Sequence, residues 1–384
     1  MAISGGPDIV EDGLVLHLDA AEPLCFRGEP TTNVVRYPVP NTSWTLGNAN
    51  GSAGTRSFLT ENGIDYMRLS NITAPSSTSY PRIVDQTLTS TVTGNVTASF
   101  EARGTTGSIV NFNIYENGST KHSLGATMTS EWKRYSYSFN TSFNLNQPYF
   151  QPRTTGATYD IRNVQIEAKP YATNFVSGTR GSTVAAGGGL LDLTNNGNNG
   201  EINRTSVPSA AFYSGNNSWN FVFDGGNDYV DFNDTNLLPT EGLTVSVWFK
   251  TSVTNKWLLD KSNGGITNGW LLAGGSAGPM FFRVNPASVN TVNNINTNEW
   301  MNITATWTPS TSLIIYRNGI FDASNTSSIP SSITNPSATL RLGGRKNNSD
   351  WWNGSISQVS IYSKALPAKE VRQNFEATKG RYGL

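Results

Sequence analysis

The feature that most constrains this chain is an alternation of apolar and polar residues with a period of two. In residues 243–252, one face of such a segment carries Leu243, Val245, Val247 and Phe249. The same alternation occurs in residues 96–104, 108–118, 131–140, 159–168 and 300–309. Successive side chains of a strand point to opposite faces of a sheet, so the pattern predicts half-buried antiparallel strands.

Turn signals separate these strands. Asn318-Gly319 lies between two apolar runs in residues 313–322, which is a strong signal for a two-residue β-hairpin. Residues 115–118, with the sequence Tyr-Glu-Asn-Gly, predict a second hairpin.

One segment has the pattern of a helix. Pro367 suits a first helical position, Val371 and Phe375 are one turn apart, and Gly380 ends the segment. We therefore predict an all-β protein with a short C-terminal helix.

Composition excludes several classes of function. Lys and Arg number 27 and Asp and Glu number 27, so the net charge is zero and we expect no nucleic-acid partner. No apolar run is long enough for membrane insertion. Two histidines and one cysteine cannot build a His/Cys zinc site without carboxylates, and a lone cysteine forms no disulfide within the chain. The first residues lack the pattern of a signal peptide, which favours synthesis in a cytoplasm.

The length of 384 residues predicts two or three domains. The opening segment, residues 13–23, has the pattern of a good strand. A block rich in strands then spans roughly residues 36–169. A connector rich in Gly, Ser and Thr follows at 169–189 and leads into the last block.

The last block resembles the laminin-G-like, concanavalin A-like jelly rolls. The resemblance lies in residues 190–202, 220–232, 243–250, 299–307, 313–319 and 340–371, in the order that the family has them. Residues 13–23, GLVLHLDAAEP, resemble the opening strand of the same domain in bacteriophage virion proteins. About 165 residues separate this strand from Leu190, which implies that the middle block is inserted into the jelly roll.

The insert itself resembles jelly rolls of the carbohydrate-binding-module type. Its cues are residues 96–104, 112–118, 131–139 and 159–168. The two resemblances together predict two antiparallel β-sandwich (jelly-roll) domains, one inserted into the other. We place their boundaries at 1–30 with 180–384, and at 31–179.

Catalysis is not expected, and no catalytic residue is assigned. Some glucanases share this fold, but glycoside hydrolysis needs two carboxylates beside one cleft. No predicted strand carries two acids on the same face. Cys25 has no histidine near it in the sequence that would activate it, and His17 is expected at a surface or between domains.

The best oxygen cluster for a metal is the turn that contains Asp224, Asn227 and Asp228. The two resembled families often hold a structural Ca²⁺, which takes six to eight oxygen ligands. The competing interpretation is a tight hairpin, in which Asp and Asn tolerate unusual backbone angles.

Candidate carbohydrate-binding residues are Trp351, Trp352, Asn348 and Asp350, because sugars bind aromatic faces beside amides and carboxylates. Adjacent strand residues point in opposite directions, so at least one of the two rings should face the core. Three aromatic residues of the insert are open to the same two interpretations: Trp44, Tyr80 and Tyr149.

The resemblance implies a non-enzymatic structural protein of a tailed bacteriophage virion, most simply a capsid decoration or fibre protein with a glycan-adhesion role. The alternatives are a tail-associated, carbohydrate-binding receptor protein and a glycan-cleaving enzyme. Its expected partners are the major capsid protein or tail proteins, and host surface glycans. We also expect a homo-oligomer, with a trimer as the first guess from virion architecture.

Overall fold

The computed structural model contains two compact units, residues 1–29 with 181–384 (unit 1) and residues 30–180 (unit 2). The structure describes residues 8–36, 38–47, 51–74, 80–84, 88–116, 120–142, 144–194, 196–204, 212–214, 219–232, 237, 239–264, 267–276, 278–295, 297–334 and 339–384.

The architecture is antiparallel β with a short C-terminal helix, as the alternating pattern predicts. The strands from the N-terminus through unit 2 are β1 (Leu14–Asp19), β2 (Phe26–Gly28), β3 (Thr31–Thr32), β4 (Thr45–Gly47), β5 (Ala53–Glu61), β6 (Ile64–Thr73), β7 (Arg82–Val84), β8 (Gly94–Gly104), β9 (Ile109–Glu116), β10 (Thr120–Thr127), β11 (Lys133–Thr141), β12 (Leu145–Pro152), β13 (Tyr159–Glu167) and β14 (Thr179–Arg180).

The remaining elements belong to unit 1. They are a 3₁₀ turn (Val184–Ala186), β15 (Gly189–Leu190), β16 (Gly200–Asn203), β17 (Tyr213–Ser214), β18 (Asn220–Asp224), β19 (Tyr229–Phe232), β20 (Leu243–Lys250), β21 (Trp257–Lys261), β22 (Trp270–Gly274), β23 (Pro279–Val284), β24 (Ala287–Asn294), β25 (Met301–Thr308), β26 (Ser312–Arg317), β27 (Ile320–Asn325), β28 (Arg341–Leu342), β29 (Asn353–Tyr362), α1 (Ala368–Thr378) and a second 3₁₀ turn (Lys379–Tyr382).

Unit 1 is a sandwich of two sheets. In the first, which we call the β29 sheet, the order is β17-β18-β29-β20-β25-β26-β27, and β1 also pairs with β29. In the second, the β19 sheet, the order is β2-β15-β16-β19-β28-β21-β22-β23-β24. β1 runs antiparallel to the C-terminal part of β29, with Leu18 opposite Val359. The N-terminal strand therefore belongs to the same sandwich as the last strand of the chain.

The core of unit 1 lies between these two sheets. The four alternating apolar residues of β20 all join it, as do Ile303, Ala305 and Trp307 of β25. The other face of β20 is also buried, because α1 and the chain end cover it. Trp248 stacks on Phe375 of α1 with ring centroids 5.6 Å apart, and on Tyr382 at 3.9 Å.

Local signals in unit 1 behave as the sequence predicts. Asn318 and Gly319 have φ values of 50° and 72°, which are the left-handed angles that a two-residue hairpin between β26 and β27 requires. The helix is where it was expected, but Pro367 has extended backbone angles and precedes α1 instead of being its first helical residue. Val371 and Phe375 are buried on one side of α1, together with Asn374 and Thr378. His17 is in unit 1 and is partly buried, with Nδ1 3.0 Å from the hydroxyl of Ser360.

Unit 2 is a second sandwich with its own core. One sheet, the β8 sheet, has the order β11-β8-β13-β6-β5, and the other, the β9 sheet, has the order β10-β9-β12-β7-β4. β3 and β14 pair with each other where the chain enters and leaves the unit. β9 and β10 form the second expected hairpin, although residues 117–119 of its turn lie outside the described residues.

Candidate functional site

The predicted tryptophan pair divides between the two sides of the β19 sheet. Trp352 is fully buried in the core of unit 1, where it meets Phe249 edge to face at 5.5 Å. Its ring therefore offers no surface for a sugar, and its assignment as a carbohydrate-binding residue is wrong. Trp351 lies on the opposite side, half-buried, and stacks on Tyr229 at 5.5 Å.

Asn348 and Asp350 hold the shape of the loop that carries these rings. Both have left-handed backbone angles, with φ of 62° and 53°. The amide oxygen of Asn348 accepts a hydrogen bond from Arg341 at 2.8 Å, and the carboxylate of Asp350 accepts bonds from Arg345 and Ser349. The structure thus brings the predicted cluster together, but its polar atoms bind neighbouring protein groups.

The predicted calcium turn is held by an arginine. The two carboxylate oxygens of Asp228 accept bonds from Arg204 at 2.9 Å each, and the side chains of both residues are almost completely buried. The carboxylate of Asp224 accepts a hydrogen bond from the backbone N–H of Gly226 at 2.8 Å. This bond is what a tight hairpin turn predicts for Asp224. Asn227 follows in the same turn. Because a guanidinium already neutralises Asp228, these residues do not fit a Ca²⁺ site.

No trio of His, Cys, Asp or Glu side chains among the described residues could hold a metal ion. In the turn, burial raises the pKa of Asp228, and its hydrogen bonds from Arg204 oppose that effect.

An ionic row crosses the outer face of the β19 sheet. Arg341 binds both oxygens of Asp231 at 2.9 Å, and Lys346 binds one of them at 2.9 Å. Burial acts to raise the pKa of Asp231, but these hydrogen bonds outweigh it and lower the pKa below its ordinary value. The guanidinium of Arg341 also lies 3.8 Å from the ring centre of Tyr229.

Glu201 on β16 is directly opposite Asp231 on β19. No single strand carries two acids on one face, whereas this pair forms across two strands, between residues that are 30 positions apart in the chain. Asp231 is locked to two cations, and Glu201 is exposed. This is unlike the proton-donating pair of a glycosidase, in which one carboxyl has a raised pKa.

Unit 2 carries a surface with the composition of a sugar site. Val110, Phe112 and Ile114 of β9 face the core, so the residues between them lie on the other side of the β9 sheet. We call this side the amide–tyrosine face, formed by Asn111, Asn113, Tyr115, Tyr149, Gln151 and Arg82. Arg82 is exposed and Asn111 and Tyr115 are half-buried, whereas Asn113, Tyr149 and Gln151 are buried. The strand register places its members side by side, with Tyr149 opposite Asn113 and Gln151 opposite Asn111.

The two tyrosines form the aromatic part of this face. Their rings stack with centroids 5.5 Å apart, and Arg82 lies 5.3 Å from the ring centre of Tyr149. Arg82 also donates to the hydroxyl of Tyr115 at 3.4 Å. Burial, reinforced by the hydrogen bond with Tyr115, raises the pKa of Tyr149 to about 12, so both its proton and its neutral ring persist at physiological pH.

Asn113 is the least satisfied group of the face. The residue is completely buried, its amide nitrogen donates to the carbonyl of Asn111 at 3.4 Å, and its amide oxygen has no partner. An unpaired buried acceptor costs about 1–3 kcal/mol. A hydroxyl donor that reached this oxygen would recover that cost.

Gly125 leaves space over the amides. It lies on β10 opposite Asn111, and a β-carbon built there would have only the amide oxygen of Asn111 as a neighbour, at 3.4 Å. Glycine within a strand often marks a place where a ligand or another chain comes close.

The outer face of the β8 sheet is different, because its ionic groups are paired with one another. Arg103 binds Glu61 and Asp160, and Arg68 binds Asp160 from the other side. Trp132 donates to Glu61 and lies under the guanidinium of Arg162 at 4.0 Å. This network stabilises the sheet and is a weaker candidate for a ligand site.

The other aromatic candidates in unit 2 differ in position. Trp44 is completely buried and packs against Phe150, so it is a core residue. Tyr80 lies under Arg153 at 4.7 Å. Tyr149 is also buried, at 2% exposed, but it lies on the amide–tyrosine face, where it stacks on Tyr115.

Residues 224–372 match the family model Laminin_G_3, described as the concanavalin A-like lectin/glucanases superfamily. The expected concanavalin A-like jelly roll is therefore confirmed for this part of unit 1. No curated protein matches the chain. Among the described residues, no helix is long and apolar enough to cross a membrane.

Similar solved structures include the binding domain of Paraclostridial Mosquitocidal Protein 1, at 19% identity and a TM-score of 0.38 over 48% of this chain and 49% of that one. The receptor-binding domain of botulinum neurotoxin D matches at 18% identity and a TM-score of 0.37, over 49% of each chain. A structure of botulinum neurotoxin type C, whose cell entry depends on two ganglioside molecules, matches at 20% identity and a TM-score of 0.37, over 49% of this chain and 48% of that one. The chain spans about half the length of these proteins.

Proposed function

We propose that this chain is a non-enzymatic structural protein of a tailed bacteriophage virion, made in the host cytoplasm, which decorates the capsid or forms a fibre and adheres to glycans. The virion part is supported by the resemblance of residues 13–23 to the opening strand of phage virion proteins, and by the pairing of that strand with β29. The adhesion part is supported by the geometry of unit 2.

The observation that carries glycan binding is the amide–tyrosine face. Half-buried Tyr115 offers an aromatic ring for the C–H groups of a sugar ring, and half-buried Asn111 offers a donor and an acceptor for its hydroxyls. Tyr149, which stacks on Tyr115, and Gln151, which is opposite Asn111, are buried and support these two residues from behind. Asn113 lies behind them, completely buried, with an amide oxygen that lacks a partner in the protein.

The carboxylates support a binding role rather than catalysis. Both oxygens of Asp231 are already occupied by cations, so this residue is poorly suited to act as a nucleophile or to donate a proton. Release of reducing ends from a host polysaccharide by the purified protein would overturn the non-enzymatic assignment.

Glycan binding is tested with two variants of the amide–tyrosine face. Tyr115→Ala removes half of the stacked pair, and Gly125→Leu fills the space over Asn111. Each should weaken binding on a glycan array and in titration calorimetry at least tenfold, which corresponds to about 1.4 kcal/mol.

The matched control is Ser136→Leu, which places the same side chain at an exposed position of the β8 sheet. Equal affinities for the wild type, both face variants and the control would contradict the assignment of this face.

The virion assignment is tested by quantitative mass spectrometry of purified particles. A capsid decoration predicts many copies per particle, whereas a handful of copies would favour the tail-associated alternative. Light scattering of the purified protein tests the expected homo-oligomer, and a monomer at all concentrations would contradict the expected trimer.

A further inference from the structure

Unit 1 contains a cavity of about 440 Å³ beside the 3₁₀ turn Val184–Ala186. We call it the Glu201 cavity, and its lining includes Val184, Ala185, Asn199, Glu201, Phe232 and Thr339. It lies next to the ionic row of the β19 sheet, because Asp231 also lines it. Cavities of this size hold small organic ligands.

Glu201 is the charged group that the protein leaves available in this cavity. It is exposed, and one of its oxygens accepts a hydrogen bond from Ser182 at 2.6 Å. Asp231, directly opposite, is neutralised by Arg341 and Lys346. A divalent cation would meet two positive side chains here, so a metal is a poor fit for this pair of carboxylates.

Other polar groups of the cavity complement Glu201. The amide oxygen of Asn199 accepts from the backbone of Asp192 at 3.0 Å, which leaves its amide nitrogen as a donor. The hydroxyl of Thr339 accepts from Lys346 at 2.8 Å, so its own proton is free to donate. The cavity therefore presents one strong acceptor and two donors.

The rest of the lining includes apolar residues. Val184 and Ala185 come from the 3₁₀ turn and Phe232 from the end of β19. A lining that combines apolar groups with a few donors and acceptors suits a ring that has C–H groups on its faces and hydroxyls around its edge. A pyranose has this chemistry, whereas a flat apolar ligand would leave the polar groups unpaired.

We propose that the Glu201 cavity is a second glycan site, which takes a single terminal hexopyranose and uses Glu201 to accept from its hydroxyls. The inference extends the proposed glycan-binding function and depends on it for its biological context. Two sites in separate units would make one chain bivalent, so that adhesion to a dense glycan layer would exceed the affinity of either site.

The experiment measures binding of the methyl glycosides of glucose, galactose, mannose and N-acetylglucosamine by saturation-transfer NMR. All cavity variants carry Tyr115→Ala, which disables the amide–tyrosine face. Ala185→Trp fills the cavity from an exposed position, and Glu201→Gln keeps the side-chain size but removes the charge. The matched control is Ser324→Trp on β27, exposed in the other sheet of unit 1.

We expect at least one glycoside to bind the Tyr115→Ala protein and the Ser324→Trp control equally. Ala185→Trp should abolish this signal, and Glu201→Gln should weaken binding about tenfold, because a charge-assisted hydrogen bond becomes a neutral one. Circular dichroism confirms that each variant is folded.

The outcomes separate the two proposals. If Tyr115→Ala alone abolishes the binding seen with the wild type, the cavity inference is wrong and the amide–tyrosine face stands. If only Ala185→Trp abolishes binding, the cavity is supported and the amide–tyrosine face is wrong. If the wild type binds none of the glycosides, the cavity inference is overturned, and the glycan array then decides the proposed function independently.

Discussion

The buried arginine of unit 1 gives the sharpest test of how this sandwich is stabilised. Arg204 joins two acids that are distant in the chain, Asp228 at 2.9 Å and Glu29 at 3.3 Å. The side chains of all three residues are at most 4% exposed. Replacing Arg204 with Met keeps most of the side-chain volume but leaves Asp228 buried without the cation that binds both of its oxygens.

The expected cost follows from this burial. Removing one partner of a buried ion pair destabilises a protein by about 3–5 kcal/mol, because the remaining charge stays desolvated. For a unit of this size that corresponds to a fall in melting temperature of roughly 6–20 °C. The double variant Arg204→Met with Asp228→Leu should lose less stability than the single variant, since the buried charge of Asp228 is removed as well.

The pH dependence provides a second readout. Burial already raises the pKa of Asp228 in the folded protein, so folding takes up protons there, and this contribution to stability grows as the pH falls through the raised pKa towards the unfolded value. Without Arg204 that pKa rises further. The deficit of Arg204→Met, measured by scanning calorimetry, should therefore be smaller at about pH 5 than near neutrality. A cost below about 1 kcal/mol that does not change with pH would refute the reasoning.

Two further predictions concern single residues of unit 1. Gly319→Ala should destabilise unit 1 by more than about 1 kcal/mol in urea unfolding, since φ at this position is 72° and the new β-carbon would lie 2.8 Å from the β-carbon of Phe375. Ser324→Ala, on the same hairpin, is the control. An unchanged unfolding midpoint for Gly319→Ala would contradict the prediction. Cys25 is completely buried, and burial raises its pKa to about 12, so iodoacetamide at about pH 8 should label it only after denaturation. Rapid labelling of the folded protein would show that this part of the core opens readily.

Much of the fold could be predicted because its signals are local. The alternation in β20 identified the residues that face the core, and Asn318-Gly319 identified a hairpin from its backbone requirements alone. The alternation could not show that both faces of β20 are buried. That depends on where α1 and Tyr382 pack, which is a tertiary effect.

The candidate sites were less predictable because they form across strands. Neither Glu201 nor Asp231 stands out in its own segment, and only the register between β16 and β19 places them together. Asn113 and Tyr149 meet through the register between β9 and β12 in the same way. Trp352 was misassigned because its position next to Trp351 gives no indication of which ring enters the core.

The pairing of β1 with β29 has a consequence for biosynthesis. Asp19 and its partner Gln358 are 339 positions apart, and translation at about 5–20 residues per second separates their synthesis by roughly 17–70 s. During that time Leu16 and Leu18 have no final strand to pair with, whereas the last strand of unit 2 is complete once Arg180 has been made. The inserted sandwich can therefore be complete before its host, and a nascent chain stalled before residue 353 would expose the apolar side of β1 to chaperones.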